Sequence, residues 1–310
     1  METFHRFTWG LLVYTVVVIL FGAWVRITGS GAGCGQHWPT CKGEVVHYPE
    51  SVETLIELTH RVTSGANLVL VIALVVLAVR RFPTKDLARR GAWLSLLFII
   101  TEALLGASLV LLALVGVNDS IPRAVMMSLH LANTSLLTGA LVYTAWASGP
   151  ERGMKPVWRG QVAWVLALTL FATVLTSGVG AVTALGDTLY PVTSSGQAVA
   201  EGLGLESANG VSAHFLQRMR IVHPAMAVAL GLWLFYLCAW LEERRPRLAV
   251  RRWAVAVRWL VGMQIVAGLV NVSLSAPGWM QIVHLFLAVV LWIALVFLAL
   301  VATAEPKSGG

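Results

Sequence analysis

Eight apolar runs, each long enough to cross a bilayer, constrain this chain more than anything else in it. They lie at approximately 7–27, 53–79, 91–117, 123–148, 161–185, 213–241, 253–274 and 279–303. A spanning helix needs about 20 predominantly apolar residues. Within lipid the backbone must satisfy its own hydrogen bonds, so only helices and closed barrels cross. None of the runs alternates with the period of two that a barrel strand needs. The expectation is an all-α polytopic membrane protein with eight transmembrane helices. Composition agrees: 12% of residues are charged and mean hydropathy is +0.77, against about 25% charged in soluble domains. This excludes an ordinary soluble enzyme and a disordered chain.

The 22 Lys and Arg against 15 Asp and Glu give a net charge of +7, and their placement decides what that means. Loop 80–90 holds Arg80, Arg81, Lys85, Arg89 and Arg90. Loop 149–160 holds Arg152, Lys155 and Arg159, and loop 242–252 holds Arg244, Arg245, Arg247, Arg251 and Arg252. The alternate loops 28–52, 118–122, 186–212 and 275–278 contain only Lys42. The excess is therefore a topology signal, with both termini cytoplasmic, and nucleic acid is not an expected partner. Cys34 and Cys41 fall in the outer loop 28–52, where thiols oxidise. They either close a small disulfide or, with His37, supply part of a metal site. Cys238, near the cytoplasmic end of the sixth run, reads as an inert apolar thiol.

Motifs recur in order along the two halves. Glu57-Leu-Thr-His60-Arg61 corresponds to Arg220-Ile-Val-His223-Pro224, Glu102-Ala-Leu-Leu-Gly106 to Gln264-Ile-Val-Ala-Gly268, and Met126-Met-Ser-Leu-His130 to Met280-Gln-Ile-Val-His284. The expected architecture is two pseudo-repeated four-helix bundles. Residues 1–150 would form the N-terminal bundle and residues 151–310 the C-terminal bundle. Four helices per half means both halves insert with the same orientation.

His60, His130, His223 and His284 lie at matching depths, roughly 10 Å inside the outer helix ends at 1.5 Å per residue. One intramembrane histidine reads as an interhelical hydrogen bond. Four in register read as two imidazole pairs, each able to take both axial positions of a haem iron. Zinc fits less well, because it needs four close ligands and each half offers two. Arg26, Arg61, Arg123, Arg218 and Arg220 sit near outer helix ends against the positive-inside trend. They are candidates to meet haem propionates, with snorkelling to lipid phosphate as the plainer alternative. Glu57 breaks the symmetry. It shares a helix face with His60 and is an acid–base candidate, or else an interface carboxylate paired with Arg61 or Arg123. Glu102 lies deeper, with packing and proton-relay readings both open.

These motifs resemble haem A synthase over nearly the whole chain. The most specific part is Gly33-Cys34-Gly35 to Trp38-Pro39-x-Cys41, followed by Glu57-x-x-His60-Arg61. The resemblance implies oxidation of the C8 methyl of haem O to a formyl group, giving haem A for terminal oxidases. It implies haem b on His223 and His284, substrate haem facing His60 and His130, an essential Glu57, and a Cys34–Cys41 disulfide. It places the protein in the bacterial cytoplasmic membrane, multi-pass, with haem sites toward the outer face. Expected partners are haem O, the haem O synthase that makes it, and membrane lipid; the electron donor and a homo-oligomeric state stay open. Many members carry a second cysteine pair between the fifth and sixth spans, whereas 186–212 has none. The rival reading is a di-haem membrane cytochrome that takes electrons from quinol.

Overall fold

A computed structural model describes residues 2–150, 152–205 and 213–306. Part of loop 186–212 therefore lies outside the described residues. Eight long apolar helices cross the molecule: α1 (Glu2–Ile27), α2 (Val52–Arg81), α3 (Leu87–Leu111), α4 (Ile121–Ser148), α5 (Gly160–Leu189), α7 (Phe215–Arg244), α8 (Leu248–Ser273) and α9 (Gly278–Thr303). A short helix, α6 (Ser195–Gly202), lies between α5 and α7. The protein is an all-α, multi-pass membrane protein. The helix starts follow local chemistry. Ser51, Asp86 and Ser120 each accept a backbone N–H of the first turn, satisfying donors that a helix leaves unpaired.

Three differences from the sequence expectation have physical causes. The third helix ends at Leu111 rather than near residue 117. Ala113 turns left-handed at φ 53°. The freed carbonyls are collected by side chains: Asn118 Nδ2 donates to Ala113 O at 3.1 Å, and Arg123 Nη1 to Gly116 O at 2.6 Å. Residues 112–117 stay apolar without being helical because these polar groups cap them. Helix α6 was not expected. Its signal is Ser194-x-x-Gln197, a Ser/Gln start box: Ser194 accepts from Gln197 N, and Gln197 Oε1 from Thr193 N. Third, Met154–Pro156 (β1) pairs antiparallel with Ala304–Pro306 (β2), joining the segment after α4 to the end of α9.

The hydrophobic core occupies one end of the bundle. It runs through Phe4 and Leu12 of α1, Leu74 and Ala78 of α2, Leu141 and Trp146 of α4, Leu237 and Leu241 of α7, and Leu295 to Ala302 of α9. All belong to helix segments beside the basic loops. Trp9, Phe297 and Trp253 stack in three near-parallel layers there, with ring centroids 5.5 and 4.5 Å apart. At the opposite end a second, small buried cluster forms among the described residues, around Ala124, Leu185 and Leu216. Helices α4 and α9 meet across the two halves, where Trp292 Nε1 donates to Ser135 O at 2.8 Å.

At that opposite end the Tyr190 hydroxyl donates to Asp119 Oδ2 at 2.5 Å, and His214 stacks on Tyr190 with centroids 5.2 Å apart. The hydroxyl holds the Asp119 carboxyl below its ordinary range, and accepting carboxylate pushes Tyr190 up to about 12. A depressed carboxyl contributes stability above its unfolded value, near 3.9, and loses it as pH falls through the folded value. Tyr190→Phe is expected to return the Asp119 midpoint toward 3.9 in a carboxyl-detected NMR titration. An unchanged midpoint would show that the hydroxyl is not the cause.

Candidate functional site

The four intramembrane histidines all lie in the loosely packed end, each within the first ten residues of its helix: His60 on α2, His130 on α4, His223 on α7 and His284 on α9. Each ring is half-buried, and each Nδ1 is buried without a hydrogen-bond partner. Each ring also faces a glycine on a neighbouring helix. A Cβ added at Gly22 of α1 would lie 3.1 Å from His60 Cε1. One at Gly106 of α3 would lie 3.9 Å from His130 Cε1, one at Gly180 of α5 would lie 2.8 Å from His223 Cε1, and one at Gly268 of α8 would lie 3.2 Å from His284 Cε1. Every histidine is thus seated where the facing helix has no side chain.

The pairs differ in their surroundings. His223 and His284 are edge-to-face with centroids 6.3 Å apart. The Gln264 amide nitrogen lies 3.2 Å from His284 Nε2. His60 sits edge-on to Phe21 at 5.7 Å. His130 Nδ1 is 3.3 Å from Glu102 Oε1, inside ion-pair distance but not aligned as a hydrogen bond.

Glu57 is 3% exposed and fully engaged. Its Oε2 accepts the Cys34 backbone N–H at 2.8 Å, and its Oε1 accepts Arg61 Nε at 3.1 Å and also Arg61 Nη2. Arg61 Nη1 reaches on to the carbonyls of His37 and Thr40, at 2.5 and 2.6 Å. Between these carbonyls and Cys34, the Cys34–Cys41 disulfide closes the loop, with sulfurs 1.98 Å apart. Of the two cysteine readings the disulfide is the one formed, and no cluster of three or more metal-ligating side chains occurs among the described residues. Loop 28–52, its disulfide, Arg61 and Glu57 form one braced unit over the start of α2.

The other arginines divide by their partners. Arg220 is 8% exposed and is met by Asp187 Oδ1 at 2.8 Å, Glu201 Oε2 at 2.5 Å and the Tyr190 carbonyl. Asp187 and Glu201 were not anticipated from sequence; the signal available was that segment 186–212 carries acids, Asp187, Glu201 and Glu206, and no Lys or Arg. Arg26 donates to Ala184 O, Thr188 Oγ1 and Gln281 Oε1, tying α1 to α5 and α9. Arg123 is buried, donates to the carbonyls of Gly116 and Asn118, and keeps Nε unpaired. Arg218 is exposed, with its guanidinium against Gly204.

Comparison with known proteins places this geometry. The family model described as cytochrome oxidase assembly protein matches residues 5–296. Two Thermus thermophilus proteins named protoheme IX farnesyltransferase are each 47% identical over 293 residues, which is 94% of this chain and 47% of theirs. The chain thus spans about half the length of these relatives. The haem A synthase of Alkalihalophilus pseudofirmus is 27% identical over 303 residues, 93% of each chain. That of Bacillus mycoides is 44% identical over 110 residues, 34% of this chain and 35% of its own.

Proposed function

The chain belongs to the cytochrome oxidase assembly protein family, and from that membership we propose that it is a haem A synthase, oxidising the C8 methyl of haem O to a formyl group. The observation that carries this reading is the set of four histidines, each seated against a glycine of a neighbouring helix, at the same end of the bundle. A side chain withheld opposite each ring lets the imidazole pack directly on the facing helix, which fixes its position as a ligand. The names of the relatives support a haem substrate, and the two farnesyltransferase-named proteins support a farnesylated one. A haem O synthase is the partner that would supply it.

In this reading, residues 1–150 and 151–310 are the two pseudo-repeated units. His223 and His284 would hold haem b, with the Gln264 amide withdrawing from His284. Bound there, haem b supplies one-electron transfer. His60 and His130 would face the substrate iron. Glu57, fixed by Arg61 and the Cys34 amide, would take and return protons beside the reacting methyl. Arg123 and Arg218, with spare donors, and Arg26 are the arginines best placed to receive propionates. Arg61 and Arg220 already neutralise carboxylates and serve mainly as braces. The basic loops would face the cytoplasm of a bacterium, placing both termini there and the histidines toward the outer leaflet of the inner membrane.

The test is co-expression of the full chain with a haem O source, followed by extraction and chromatography of the haems. Haem B together with haem O or its formyl product is the expected result. Haem B alone, at two per chain, would overturn the reading in favour of an electron-transfer cytochrome.

A further inference from the structure

Glu102 is the one carboxylate among the described residues that touches an intramembrane histidine. It lies mid-helix on α3, and its side chain is 18% exposed. Its Oε2 accepts Asn133 Nδ2 at 2.6 Å, and its Oε1 accepts the Thr134 hydroxyl. Asn133 is itself fixed, with Nδ2 donating to Phe98 O at 2.8 Å and Oδ1 accepting from Thr101 at 2.6 Å. Three polar side chains therefore hold one carboxylate in place, with Oε1 3.3 Å from His130 Nδ1. Buried polar networks of this kind are costly unless satisfied, so the arrangement is specified rather than incidental. At the matching position of the other half stands Gln264, a neutral amide that meets His284 at the other ring nitrogen, Nε2.

We propose that Glu102 is the positioning residue for His130: it draws the Nδ1–H toward Oε1, turns Nε2 into the interior as the ligating lone pair, and makes this imidazole a stronger donor than any in the C-terminal half. The proposal rests on His130 being a haem ligand. A carboxylate behind a ligating histidine fixes the tautomer and raises ligand basicity, and loss of such a partner changes metal affinity or activity about 10–100-fold. A more basic axial ligand favours ferric iron. The two haem positions would then differ in potential because one half carries glutamate where the other carries glutamine.

The test uses the purified full chain loaded with haem B alone, read by low-temperature electron paramagnetic resonance and redox titration. Wild type is expected to show two low-spin signals, and His130→Ala to lose one of them. Glu102→Gln should keep both signals but shift the N-terminal one about 10-fold toward ferrous iron, a rise of about 59 mV for one electron. Thr134→Val removes the hydroxyl that competes for Oε1 and should move the same potential downward. The signal from His223 and His284 reports in each sample that the chain is folded. If His130→Ala loses a signal but Glu102→Gln leaves both potentials unchanged, the Glu102 role is wrong and the His130 ligand stands. If His130→Ala keeps both signals, the ligand assignment fails and the Glu102 role fails with it.

Discussion

Glu57→Ala is expected to abolish haem A formation while leaving in place the haem that we propose His223 and His284 hold. Two effects combine in this variant, and the structure separates them. The first is loss of the carboxyl to which we assign proton handling. The second is mechanical: the carboxylate holds Arg61 and the Cys34 amide, and the Arg61 and Glu57 side chains are only 11% and 5% exposed. Removing one partner of a buried pair costs about 3–5 kcal/mol, enough to release loop 28–52 from α2. Hydrogen exchange in that loop should rise sharply in Glu57→Ala. Glu57→Gln keeps the shape and an oxygen for the Cys34 amide, so it should protect the loop better while still losing activity. Normal haem A yield from Glu57→Gln would sink the proton role. Unchanged exchange in Glu57→Ala would sink the bracing role.

Gly180→Ala should cost the C-terminal site most of its low-spin haem. In a helix interior alanine is favoured over glycine by about 1 kcal/mol, so propensity alone predicts stabilisation. Contact distances reverse the sign at some positions and not at others. The new Cβ at residue 180 would lie 2.8 Å from His223 Cε1, with Nδ1 and Nε2 at 3.2 and 3.3 Å. The whole ring would have to move, and overpacking of this kind costs about 1–3 kcal/mol besides displacing the ligand. At Gly22 and Gly268 the nearest approaches are 3.1 and 3.2 Å, and at Gly106 the approach is 3.9 Å, ordinary contact. Haem content per chain should therefore fall most for Gly180→Ala, less for Gly22→Ala and Gly268→Ala, and hold for Gly106→Ala. Equal haem content in all four variants would remove the case that these glycines seat the ligands.

What could be read without coordinates was whatever depends on one helix at a time. Run length gives the eight spans, and the histidine depths follow from position along each run. Relations between helices were hidden. Nothing in the spacing of Gly180 and His223, or Gly268 and His284, says that they face each other. Glu57 and Arg61 were readable as an i, i+4 pair, but the attachment of Glu57 to the Cys34 backbone depends on how the outer loop folds back. Arg220 read as an uncompensated cation because Asp187 and Glu201 lie in separate elements. The helix end at Leu111 was missed for the same reason: hydropathy continues to residue 117, and the carbonyls that allow the turn are satisfied by Asn118 and Arg123 from further along the chain.

The uneven distribution of the core bears on the membrane the protein sits in. At the basic end, α9 is buried from Val289 through Thr303 at nearly every position, packed against α1, α4, α5 and α8. Moving a charge across a membrane potential involves about 2.3 kcal/mol per 100 mV, and a bilayer that stores such a potential cannot contain a wet channel. The sealed end acts as an insulator. It closes the bundle on the side away from the four histidines, so the packed segment offers protons no route past them.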